Sequence, residues 1–103
     1  MENLDHQAWR SGTQADDAHI IDVRTEPEWQ DGIIPNAQLL DIYRAEEFMA
    51  ALEGLDKSKS YYLYCRSGAR SGQACMIMQS RGFEKVYNLS GGVLEWYGEL
   101  VDP

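Results

Sequence analysis

The chain has 103 residues, nine basic and seventeen acidic, for a formal charge of −8. Such an acidic balance argues against nucleic acid or an anionic membrane as a partner, and no apolar run reaches the roughly 18 residues of a membrane span. The length suits one small domain, residues 1–103, and no basic start followed by an apolar stretch suggests a signal peptide.

The predicted elements alternate. A very short edge strand near Leu4 precedes a short helix over Asp5 to Arg10. "AHIIDVR" is a buried strand around Ile20 to Val23. In "TEPEWQDG", Thr25 can cap a helix and Glu28 stands three residues on, as in a capping box. Pro27 is tolerated in that first turn, and Gly32 ends it. "AQLLDI" is the next strand. "AEEFMAALEGL" places Phe48, Leu52 and Leu55 on one helical face, with Glu46 and Glu47 as a solvated start. "YYLY" and "KVYNL" are two further strands. Between them, "ARSGQACMIMQSRG" aligns Ala74, Ile77, Met78 and Arg81, and Gly82 closes the helix. "GGVLEWYGEL" is the expected last helix.

Strands alternating with helices imply an α/β fold. It is a small parallel sheet of four to five strands, joined by right-handed crossovers and flanked by helices on both faces. Ligands of such sheets bind outside the carboxyl ends of the strands. Cys65 stands at that end of "YYLY".

The segment from Cys65 to Arg70 joins a buried strand to a helix N-terminus. Successive amides in a tight loop can converge into an anion-binding nest, and the helix dipole adds to it. Gly68 permits backbone angles closed to other residues. Ser67 and Ala69 keep the centre open, and Arg66 and Arg70 bring positive charge to an acidic protein. These influences favour the thiolate of Cys65. The same cradle would hold an oxyanion beside the sulfur, an arrangement suited to group transfer from an anionic donor. Cys75 falls inside a helix with no such surroundings and is expected to fill the core. Two cysteines make no disulfide framework, and His6 and His19 lie too far off in sequence for a zinc site. A reduced, cytoplasmic protein with free thiols and no metal is expected.

Three stretches resemble the rhodanese family of sulfurtransferases. They are "CRSGARS", "IIDVRTEPEWQDGIIPNA" and "VYNLSGGVLEW", and the likeness runs from about Ala18 to Leu100. Ile33 and Asn36 stand where the family often has histidine and glycine. The resemblance implies a rhodanese-like fold and a thiosulfate sulfurtransferase. Cys65 would attack the outer sulfur of a small anionic donor, carry it as a persulfide, and yield it to a thiol, to cyanide or to a protein acceptor. No cofactor is implied. In the family a six-residue loop belongs to sulfur transferases, and a loop one residue longer suits phosphatases and arsenate reductases. Cys65 to Arg70 is six residues, and Ser71 stands where the phosphatase pattern needs arginine.

The loop residues Arg66, Ser67, Gly68, Ala69 and Arg70 are the expected substrate contacts, with Cys65 as nucleophile. Tyr43 and Arg44 would line the mouth of the site. Arg24 is expected to pair with Glu28, Gly91 and Gly92 to serve backbone geometry, and Trp9, Trp29 and Trp96 to serve packing. The alternative functions are a phosphatase or arsenate reductase of the same fold, a non-enzymatic binding module, and a protein-bound sulfur carrier.

Overall fold

The structure is a computed structural model and describes residues 1–103. Five strands form one all-parallel sheet in the order β1-β5-β4-β2-β3. They are β1 (Glu2–Leu4), β2 (Ala18–Asp22), β3 (Gln38–Leu39), β4 (Ser60–Tyr64) and β5 (Lys85–Leu89). The helices are α1 (His6–Gly12), α2 (Glu26–Trp29), α3 (Ala45–Glu53) and α4 (Ala69–Ser80), and a 3₁₀ turn spans Gly92–Glu95. None is long and apolar enough to cross a membrane.

The period of two along β4 divides the core. Tyr61, Leu63 and Cys65 face one layer with Phe48 and Leu52 of α3 and Ala74, Cys75 and Met78 of α4. Tyr62 and Tyr64 face the other with Trp9 of α1, Ile34 and Leu89, and Trp96 packs on that cluster. Helical segments thus cover both faces, which accounts for the unbroken apolar run of β4. The buried stripe of α4 is Ser71, Ala74, Cys75 and Met78. Ile77 only packs at its margin, and Arg81 is exposed and pairs with Glu53.

Two elements are shorter than the pattern predicts. "AQLLDI" is a strand only over Gln38–Leu39, although Leu40 and Ile42 still donate amides to Asp22 and Val23. At the sheet edge nothing pairs with its other side, and the Asp41 carboxylate takes the Tyr43 amide at 2.8 Å, turning the chain. "GGVLEWYGEL" makes one 3₁₀ turn instead of a helix. Trp96 is extended and its ring meets Trp9, while Val101 exchanges two 2.8 Å backbone hydrogen bonds with Ile33. Tertiary pairing here outweighs local helical preference.

Asn36 has φ +71°. It stands where the resemblance has glycine, and asparagine is among the few residues that adopt this left-handed conformation readily. The turn is kept with a different residue.

A buried ion pair closes the end of β2. The Arg24 guanidinium donates to both Asp22 carboxylate oxygens at 2.7–3.1 Å and to the Gly32 carbonyl at 2.8 Å. Arg24 therefore pairs with Asp22 and not with Glu28. Two residues apart at a strand end, Asp22 reaches the guanidinium inside the fold, where the two are 0% and 4% exposed. Removing one partner of a buried pair strands the other charge, at a cost of about 3–5 kcal/mol. Arg24→Met should lower unfolding free energy by that order in urea denaturation. An unchanged midpoint would mean that the pair contributes nothing to the fold.

Candidate active site

Cys65 directly follows β4 and is 1% exposed. Its Sγ accepts the Gly68 amide at 3.1 Å and the Ser71 hydroxyl at 3.3 Å. The loop can turn its amides inward because Gly68 sits at φ +104°. There an added Cβ would come within 3.3 Å of the Leu89 carbonyl. The loop carbonyls point the other way: Val93 N–H donates to Cys65 O at 2.9 Å and Leu94 N–H to Arg66 O at 3.2 Å. Gly92 makes this docking feasible, since a Cβ there would collide with the Arg66 carbonyl.

Burial pushes the Cys65 thiol up. The Ser71 hydroxyl and the amides of Ser71, Gly68 and Ser67 outweigh it and leave the thiol more acidic than an ordinary cysteine. Cys75 shows burial without such donors: it is 0% exposed and pushed up to about 12. Both cysteines are free thiols.

The arginines divide their work. Arg70 makes a two-pronged ion pair with Glu28, Nη1 to Oε1 at 2.7 Å and Nη2 to Oε2 at 2.8 Å. This contact comes first among the causes that hold the Glu28 carboxyl down at about 2, aided by hydrogen bonds from Thr25. Arg66 is exposed, forms none of the ion pairs, and lines a groove with Arg24, Glu28, Leu94 and Leu100.

Residues 6–99 match the model of the family described as "Rhodanese-like domain". The chain belongs to the rhodanese-like domain family. It is 37% identical to a protein of Allochromatium vinosum named "Sulfurtransferase", over 79% of this chain and 73% of that one. A "tRNA uridine(34) hydroxylase" of Chlamydia pneumoniae is 32% identical across 97% of this chain, which matches only 32% of that longer protein. Among solved structures, a rhodanese-like domain protein from Staphylococcus aureus superposes with a TM-score of 0.85 at 27% identity, covering 100% of this chain and 99% of that one.

In this rhodanese-like domain the groups that meet the Cys65 sulfur are the Gly68 amide of the loop and the Ser71 hydroxyl just beyond it. Ser67 and Ala69 are exposed at the rim. Tyr43 lies beneath the Arg70 guanidinium, 5.6 Å from its ring centre, and is 69% exposed. Arg44 is not brought to the loop. It bonds Glu47 and borders a separate pocket with Trp29, Leu40 and Phe48. Sequence reasoning missed Ser71 and Asn88. Ser71 carried a usable signal, because 71, 74, 75 and 78 share one helical face. Asn88 carried none beyond standing in a buried strand.

Glu28 ties α2 to α4, and its acid behaviour exposes that tie. Its carboxyl ionises at about 2 when folded against an ordinary 4.5. The folded form therefore holds the proton less well, so the contribution to stability is full above about 4.5 and lost as pH falls towards about 2. Across that window, wild type should lose more stability than Glu28→Gln in acid titrations followed by chemical denaturation. Parallel curves would show that the pair adds nothing to folding.

Proposed function

We propose that the protein is a sulfurtransferase. It takes a sulfane sulfur from thiosulfate or a related persulfide donor and gives it to a thiol, cyanide or a protein acceptor, through a persulfide on Cys65. One observation carries this reading: an acidified sulfur lies at the floor of a six-residue loop, facing amide and hydroxyl donors, and is 1% exposed. So recessed a nucleophile is reached by a single projecting atom, such as the outer sulfur of thiosulfate.

The Cys65 thiolate attacks that outer sulfur. A new S–S bond forms, the old one breaks, and sulfite leaves with the electron pair. Cyanide or an acceptor thiolate then attacks the terminal sulfur, and the Cys65 thiolate departs. In the cyanide case the product is thiocyanate. No step requires a proton to move, so no histidine is needed. Loop amides hold the anionic persulfide, and Arg66 offers charge to the donor's sulfonate. A phosphatase of this fold would need an arginine at position 71 to clamp three oxygens; Ser71 stands there and donates to the sulfur, and Arg70 is bound by Glu28. The two free thiols fit a reducing compartment, and the cytoplasm is the compartment we propose.

Cys65→Ser should abolish thiosulfate:cyanide transfer and Cys75→Ser should retain most of it. Mass spectrometry of thiosulfate-treated protein should find one added sulfur on Cys65. Equal loss in both folded variants would replace this scheme with a dithiol mechanism.

Arg66→Ala should lower kcat/KM for thiosulfate by about ten- to a hundredfold, the equivalent of one lost hydrogen bond to a charged group. The loss should fall mainly on KM, and Arg66→Lys should restore only part, because lysine lacks the planar fork. Steady-state rates at fixed low salt test this. Wild-type kinetics in Arg66→Ala would leave the donor to the backbone amides alone.

A further inference from the structure

Asn88, on β5, is joined by side-chain hydrogen bonds to three parts of the fold. Its Nδ2 donates to the Gly68 carbonyl at 3.0 Å and to Asn3 Oδ1 on β1 at 2.9 Å. Its Oδ1 accepts from the Ser71 hydroxyl. A main-chain carbonyl can only accept, so only the amide nitrogen can face Gly68 O. That fixes the side chain and aims Oδ1, also only an acceptor, at Ser71. The Ser71 hydroxyl thus lies between two acceptors, Asn88 Oδ1 and Cys65 Sγ, with a single proton to give. Ser71 is 0% and Asn88 4% exposed, which leaves solvent little access to either.

We propose that Asn88 is a positioning residue for Cys65: it competes with the sulfur for the Ser71 proton and so sets which way that hydroxyl points. With a thiol at position 65, S–H donates to Ser71 Oγ and Ser71 donates to Asn88. With a thiolate, the Ser71 proton turns to Sγ. On the sulfurtransferase reading there is a third state. In the persulfide the charge lies on the outer sulfur, within the loop amides, and the Ser71 proton returns to Asn88. The device lets one hydroxyl serve each state without taking up or releasing a proton.

The test compares thiolate formation in a Cys75→Ser background, read as the pH dependence of iodoacetamide alkylation. The charged and titratable groups on the elements around Cys65 are Arg66, Arg70 with its partner Glu28 and the Tyr43 ring beneath it, Cys75, and the N-terminal ammonium that acts on Cys75. All but Cys75 are left unaltered, and Cys75→Ser is common to every arm. Asn88→Leu removes the rival acceptor, so the thiolate-to-thiol ratio at fixed pH should rise by about three- to tenfold, the range of one hydrogen bond. A purely structural role predicts the opposite, because loosening Gly68 would withdraw amides from the sulfur. Asn88→Val likewise removes the rival acceptor without adding charge, so it should raise the ratio in the same way; it serves if Asn88→Leu does not fold. Adding Ser71→Ala should erase the gain of Asn88→Leu. A midpoint that rises or stays in folded Asn88→Leu or Asn88→Val overturns the proposal. Alkylation needs no sulfur donor, so this outcome is independent of whether the protein transfers sulfur.

Discussion

The candidate site depends on a contact between two backbones. Gly92 lies so close to the Arg66 carbonyl that no side chain fits between them. The approach lets the Val93 and Leu94 amides take the carbonyls of Cys65 and Arg66. Once those carbonyls face the turn after β5, the following amides of the loop are free to face the sulfur. A loop of the same composition without that docking would have its polar groups divided between both sides. The acidity of Cys65 is therefore a consequence of how β5 ends as much as of the residues around the cysteine.

Charge is distributed with the same economy. Three arginines stand near the carboxyl ends of the central strands, and two are tied to carboxylates. Arg24 is enclosed with Asp22 and shapes the turn through Gly32, while Arg70 is fastened to Glu28 and joins α2 to α4. The lowering influences on Cys65 come from the Ser71 hydroxyl and from amides, with no arginine among the main causes. That differs from the expectation that Arg66 or Arg70 would help acidify the thiol. Fixed dipoles at hydrogen-bond distance act more strongly on the buried sulfur than Arg70, whose charge is shared with Glu28 and reaches Cys65 only as a lesser influence.

The legible parts of the sequence were those set by local chemistry. The strand-loop-helix around Cys65, the capping pair Thr25–Glu28 and the face of Phe48 and Leu52 all follow from residues within one or two turns of each other. The segment after Gly92 has a helical pattern in sequence, yet its conformation is decided by Trp9 and Ile33, far away in the chain. Adjacency in sequence favours Arg24 as the partner of Glu28 and cannot reveal that Asp22 already holds it. Asn88 was invisible for a related reason: its three hydrogen-bond partners come from β1, the loop and α4, and only the folded sheet gathers them.

The burial of Cys75 also bears on how the protein meets oxidants. An acidic thiol is the one that oxidises first, to a sulfenic acid, and a second thiolate nearby can trap that species as a disulfide before it goes further. Cys75 lies wholly inside the fold and is pushed up to about 12, so at neutral pH it offers no thiolate for the purpose. The chain contains no other cysteine. Within this domain Cys75 cannot trap an oxidised Cys65, which leaves a backbone nitrogen or a thiol from outside the domain, small enough to enter the loop, to do so before the lesion reaches forms that thiols cannot reverse.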